Sequence, residues 1–242
     1  MLEGFTGLMA AAVAFVGTHF VLAAPRTRAA LVARLGEQGF TGVFSLVALL
    51  TLAVLVIAYG EAPYLELWPP SSPLRWVPVI VMPFACFLLL CGLTQPNPTA
   101  VMQGFDPKLR DPAPGILKVT RHPVMWGIGL WALSHLAPNG DLASLVFFGS
   151  FAVLAFVGTV QIEAKRRARD PDGFARFAEV TSNVPLTALF SAKTRAFWKT
   201  AYSIDPAQTV WNEIGLWRVA AALALYVALI VAHPWITGVA VH

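Results

Sequence analysis

Charge is in short supply in this 242-residue chain, with 12% of its residues Asp, Glu, Lys or Arg, about half the ~25% usual in a soluble domain. Set beside 57% apolar residues, that shortage excludes a water-soluble fold and calls for lipid as the solvent. Cysteine is scarcer still, with two residues. Cys86 and Cys91 lie five apart in one apolar run, where helical geometry turns them to different faces, so no disulfide between them is expected. No Gly-rich phosphate loop, Ser nucleophile elbow or His-Glu-x-x-His helix occurs. Nor do three or four Cys, His or carboxylate side chains fall at one level, which argues against a zinc site. Basic residues are missing ahead of the first apolar run, whereas Arg26, Arg28 and Arg34 follow it. That order is the reverse of a secretory leader, so Ala23-Ala24-Pro25 is read as the end of a retained span and not as a cleavage site. Internal repeats and low-complexity tracts are absent as well.

What the chain has in abundance is charge-free apolar runs, each near the length that crosses ~30 Å of hydrocarbon. They fall at 4–24, 40–58, 76–94, 123–138, 142–162 and 217–236, with Pro, Gly and charge in every gap. The expectation is an all-α, polytopic integral membrane bundle of about six transmembrane helices, a single domain over residues 1–242. The fourth run is short, and Pro138-Asn139-Gly140-Asp141 joins it to the fifth as a tight helical hairpin.

Of the seventeen Lys and Arg, sixteen fall in the first, third and fifth connections: three in 25–39, four in 95–122 and nine in 163–218. Cytoplasmic loops concentrate positive charge, so these connections are expected in the cytoplasm and both termini outside. The pI near 9.3 then reflects orientation, and nucleic acid is not an expected partner. The connection 163–216 interleaves Lys165, Arg166, Arg167 and Arg169 with Phe174, Phe177, Phe190, Trp198 and Trp211, the mixture of a segment lying at the interface. Membrane lipid is the partner this composition implies, and apolar helix faces leave room for a lipophilic small-molecule substrate.

Ionisable groups at membrane depth are costly, so each is a functional candidate. His19 sits in Gly17-Thr18-His19-Phe20 near the inner end of the first span. His122 opens the fourth in Thr120-Arg121-His122-Pro123, and His135 lies near its outer end. His233, beside Pro234 and Trp235, reads as an interfacial residue, and the terminal His242 points to nothing. Two neutral imidazoles from different helices are a common way to hold a haem. Linear topology places His19 and His122 at one level. His122 and His135, thirteen apart, are separated by roughly 20 Å and about 220° on one helix, so they cannot share an iron. Arg26, Arg28, Lys118 and Arg121 ring the inner level, where they obey the positive-inside rule and could also pair with carboxylates or phosphates of a cofactor. Cys91 at that level reads as a small buried hydrophobe.

Gly17-Thr18-His19, Thr120-Arg121-His122-Pro123 and the stretch from Glu163 to Pro185 resemble the NnrU family of bacterial membrane proteins, over nearly the whole chain. That family is similar to the plant 15-cis-zeta-carotene isomerase, a haem b membrane enzyme, and has been linked to nitrogen-oxide respiration. The resemblance implies a b-type haem on two histidines, His19 and His135; His122, which the linear topology favours, stays in reserve, and Arg121 of the basic ring remains a candidate cofactor contact. It also implies either a redox-gated isomerase of a carotenoid-type polyene or a non-catalytic membrane factor supporting nitrogen-oxide respiration.

A second resemblance is to the isoprenylcysteine and phospholipid methyltransferases, through Arg121, His122, Pro123, Glu163, Val184 and Pro185. It implies S-adenosylmethionine as cofactor. Met125 and Ala164 depart from that pattern where it has a tyrosine and a second glutamate, which points to a shared scaffold with changed chemistry.

Overall fold

In hydrocarbon a backbone has few ways to satisfy its N–H and C=O groups, and a charge-free apolar run settles on the helix. The computed structural model describes residues 3–100, 103–105 and 111–239, and they form an all-α polytopic membrane bundle. Ten α-helices follow in order: α1 Thr6–Ala23, α2 Pro25–Glu61, α3 Ser72–Thr94, α4 Pro123–Leu136, α5 Leu142–Arg169, α6 Pro171–Val180, α7 Thr187–Phe190, α8 Ala192–Phe197, α9 Pro206–Ile214 and α10 Leu216–Thr237. Among the described residues the one β-like feature is an isolated bridge between Glu66 and Asp141. The chain divides into two compact units, Met1–Pro78 with Ala132–Gly158, and Val79–Trp131 with Thr159–His242.

In the first unit, Ala24 adopts an extended conformation (φ −60°, ψ 138°) that separates α1 from α2, and Pro25 opens α2 where its missing N–H costs nothing. Phe5, Leu8, Ala12 and Phe15 recur at helical spacing and are buried, which makes one stripe of α1 its packing face. Inside α2, Gly36 takes φ 71° and ψ 171°, a conformation that suits glycine. The stretch Pro25–Leu35 ahead of it, expected as a loop, is therefore a helix of its own. Arg28 there ion-pairs with Glu37 at 2.5 Å across that break. The segment between α2 and α3 is clipped to the α4–α5 hairpin. Leu67 N–H and Trp68 N–H both donate to Gly140 O, at 2.7 and 3.0 Å, and Trp68 Nε1 donates to Ala137 O at 3.1 Å. A Cβ on Gly140 would collide with the Trp68 carbonyl.

In the second unit, two glycines bring α3 and α4 together: a Cβ at Gly92 would lie 2.7 Å from Val124, and one at Gly127 would lie 2.6 Å from Leu89. Leu88, Cys91, Ile116, Val210 and Ile214 form one buried cluster, and Ala113, Leu117, Phe177, Val180 and Trp198 form another. Asp170 starts α6 by accepting from Gly173 N–H at 2.8 Å, with Pro171 in the first turn.

Each predicted span falls on a helix, but the bounds differ: α2 reaches back to Pro25 and on to Glu61, α3 starts four residues earlier at Ser72, and α5 and α4 depart at their C-terminal ends. Helix α5 runs seven residues past the predicted end at 162, because its basic tail continues the helix into the interface. Helix α4 is only 14 residues, about 21 Å at 1.5 Å per residue, short of the ~30 Å hydrocarbon thickness. Among the described residues, five helices are long and apolar enough to cross a membrane.

Candidate functional site

His19 and His135 both belong to the first unit. His19 Nδ1 lies 2.6 Å from the carbonyl oxygen of Phe15, one turn earlier on α1. A carbonyl only accepts, so Nδ1 carries the proton and Nε2 keeps its lone pair. The imidazole ring packs edge-on against Phe15 at 4.7 Å and Phe44 at 5.5 Å. From Phe15 a row of rings continues through Phe151 at 5.1 Å, Phe147 at 5.3 Å and Phe148 at 5.1 Å. The far end of that row is His135, stacked on Phe148 at 5.5 Å, with Ser134 Oγ 3.4 Å from its Nδ1. Four phenylalanine rings therefore connect the two histidines in one apolar, aromatic setting. Tyr59 flanks the row, stacked on Phe147 at 4.5 Å and bonded through its hydroxyl to Ser144 Oγ at 2.9 Å.

His122 and Arg121 belong to the second unit, so the four residues singled out for cofactor binding divide two and two. His122 is 2% exposed, with Nε2 3.1 Å from Glu163 Oε1 and Nδ1 3.5 Å from Thr99 Oγ1. Both ring nitrogens thus face protein groups. Arg121 Nε lies 3.5 Å from the same Glu163 oxygen. Burial holds the Arg121 guanidinium below its ordinary pKa, with Glu163 opposing that effect and Arg167 adding to it. The chain around this cluster is pinned from the segment before α7. Arg121 N–H donates to Ser182 O at 2.9 Å, Leu186 N–H to Val119 O at 2.8 Å, and Trp126 Nε1 to Asn183 Oδ1 at 3.1 Å. The motif residues that the methyltransferase resemblance drew on thus come together around Glu163 and the 182–186 segment, although they are forty and sixty positions apart.

Lys118 was grouped with the basic ring at the inner level, and its position departs from that expectation. It ends a 3₁₀ turn, Gly115–Lys118, with no exposed side-chain surface, and its Nζ lies 2.5 Å from both Asp111 Oδ2 and Glu213 Oε2. Nζ also sits 5.0 Å above the Trp198 ring. Glu213 accepts from Gly115 N–H at 2.6 Å as well, so one carboxylate from α9 holds both ends of the turn. The hint in the sequence was a lone lysine in Gly-Ile-Leu-Lys-Val, apolar on both sides. Arg28 is likewise taken by Glu37, while Arg26 is exposed. Cys91 and Cys86 are free, buried thiols. His233 Nδ1 is 2.8 Å from Val239 O at the exposed end of α10, and His242 lies outside the described residues.

Among the described residues no three His, Cys, Asp or Glu side chains converge as a metal centre. The two imidazoles of the first unit stand in an aromatic setting, His19 with Nδ1 on the Phe15 carbonyl and His135 stacked on Phe148. Compared with known proteins, the chain matches the family model described as NnrU protein over residues 7–241. No curated protein and no solved structure matches it.

Proposed function

The chain belongs to the NnrU family, and on that premise we propose that it is a membrane haem b protein, with His19 and His135 as iron ligands, that isomerises a lipophilic polyene under redox control. One observation carries the reading: the Phe15 carbonyl holds His19 Nδ1–H at 2.6 Å and so leaves Nε2 as the donor. Second hydrogen bonds of this kind fix the tautomer and orientation of ligating histidines and raise their basicity. At His135 the Ser134 hydroxyl stands beside Nδ1 in the corresponding role. Phe15, Phe44, Phe147, Phe148 and Phe151 surround the two imidazoles with apolar rings and offer flat apolar surface to a conjugated ligand. Haem b supplies, when bound, an iron whose ligation depends on redox state and which can offer an open position to a double bond. The orientation belongs to the same proposal: basic connections on the cytoplasmic side of a bacterial inner membrane and termini outside.

The test is the absorbance spectrum of detergent-purified protein with and without dithionite. A Soret band that shifts on reduction and is lost in His19→Ala is the expected result. Protein that is colourless from haem-replete cells refutes the reading.

A second reading, S-adenosylmethionine-dependent methyl transfer, is favoured by the convergence of Arg121, His122 and Glu163. Calorimetry with S-adenosylhomocysteine tests it, and no heat at millimolar ligand eliminates it.

A further inference from the structure

The ring of Phe174, near the start of α6, is 2% exposed and carries two guanidinium groups: Arg167 at 4.8 Å from its centroid and Arg121 at 5.9 Å. Like charges gathered on one ring need a counter-charge, and among the described residues Glu163 is the carboxylate that acts on both. Its Oε1 lies closer to His122, at 3.1 Å, than to Arg121 Nε, at 3.5 Å. Arg121 Nε is fully buried and, among the described residues, has no hydrogen-bond partner. Even with His122 neutral, the two guanidinium groups on the ring outnumber this one carboxylate.

The location narrows what the missing partner is. The charge-free stretch of α5 ends at Ile162, and Arg167 stands about one turn further along, where lipid headgroups meet water. Guanidinium presents a planar fork of donors that matches phosphate oxygens bidentately and is weakly hydrated, so it tolerates the burial imposed on Arg121. A phosphate monoester, near −2 at neutral pH, balances two guanidinium groups where a carboxylate balances one.

We propose that Arg121 and Arg167, set over the Phe174 ring, form a binding site for a phosphate group presented at the membrane surface. The site is independent of the haem reading, since neither histidine of the first unit takes part. The phosphate comes either from a lipid headgroup or from a soluble phosphate ester, and the experiment separates the two.

Full-length protein in detergent is assayed by native mass spectrometry with phosphatidic acid and with phosphatidylcholine, and by calorimetry with inorganic phosphate. Phosphatidic acid is expected to be retained at least about tenfold over phosphatidylcholine. Arg167→Gln, near the C-terminal end of α5, is expected to reduce that preference at least about fivefold, as is Arg121→Lys, which keeps the charge beside Glu163 but loses the fork. Lys193→Gln, at an exposed basic position that makes no cation–π contact with the ring among the described residues, should leave it unchanged. If the source is soluble, inorganic phosphate binds with the same dependence on Arg167 and displaces the lipid. The proposal is overturned if neither probe binds in an Arg167-dependent way, or if Lys193→Gln has as large an effect as Arg167→Gln.

Discussion

Lys118→Met removes a buried positive charge while keeping most of the side-chain length, and the structure gives the scale of the consequence. The lysine Nζ has no exposed surface and holds Asp111 and Glu213 at 2.5 Å each, and these carboxylates are themselves only 20% and 28% exposed. Deleting one partner of a buried pair costs ~3–5 kcal/mol, because the charge left behind has lost both its counter-ion and its water. Here two carboxylates are left, each with some access to solvent, so the lower end of that range applies. Loss of the cation over Trp198 adds about 1 kcal/mol. Together these come to ~4 kcal/mol, which at roughly 2–4 °C per kcal/mol for a chain of this size lowers the midpoint of thermal unfolding in detergent by roughly 8–15 °C. A compensating variant isolates the cause. Lys118→Met combined with Asp111→Asn and Glu213→Gln removes the stranded charges, and the amide oxygen that replaces the Glu213 carboxylate still accepts from Gly115 N–H. That combination is expected to recover more than half of the loss. A fall under about 3 °C for the single substitution, or a triple variant no better than it, refutes the account of Lys118 as the neutraliser of this cluster.

At Gly92 an added Cβ would meet Val124 Cγ2 at 2.7 Å and the Val124 backbone nitrogen at 3.0 Å, so Gly92→Ala should cost ~1–3 kcal/mol in thermal unfolding. Gly17→Ala, with nothing within 4 Å of the new atom, should not. Leu186 holds φ 68°, a left-handed conformation costly for a branched side chain. Leu186→Gly should therefore keep or raise the unfolding temperature and Leu186→Val lower it by about 2–4 °C. The two termini share a side only if α4 completes a crossing, so reporter fusions at each end should both be active in the periplasm. Opposite locations would mean five crossings and a re-entrant α4.

Apolar length made the helices legible before any coordinate, and so did the breaks between them, because Pro, Gly and charge interrupt a helical run wherever hydrocarbon ends. Two features escaped that logic. The stretch 25–35 carries three arginines among alanines and leucines, a composition that reads as a connection when judged by charge. Alanine and leucine are nonetheless strong helix formers, and Gly36 at positive φ ends that helix where charge alone showed nothing. The length of α4 escaped for the opposite reason: hydropathy continues through Ala137 and Pro138, but the clip between Gly140 and the 65–68 segment ends the helix at Leu136. Tertiary hydrogen bonds of that kind leave no periodic trace.

Pairing among the candidate residues was the part least accessible to linear reasoning. Level along the membrane normal suggested His19 with His122, because both lie toward the basic connections. The structure instead puts His19 in the same compact unit as His135, joined by rings at positions 15, 147, 148 and 151, whereas His122 turns both nitrogens onto Thr99 and Glu163. Depth orders residues in one dimension, but what a histidine can do depends on which groups already occupy its nitrogens. His19 has one nitrogen satisfied within its own helix and the other left with a lone pair, a state that the short stretch from Phe15 to His19 is enough to create. His122 has both nitrogens engaged by side chains 23 and 41 positions away, which no local pattern encodes. For that reason the proposed iron-ligand reading rests on the first unit, and the anion reading on Arg121 and Arg167 over one ring, with Arg121 Nε left without a hydrogen-bond partner among the described residues.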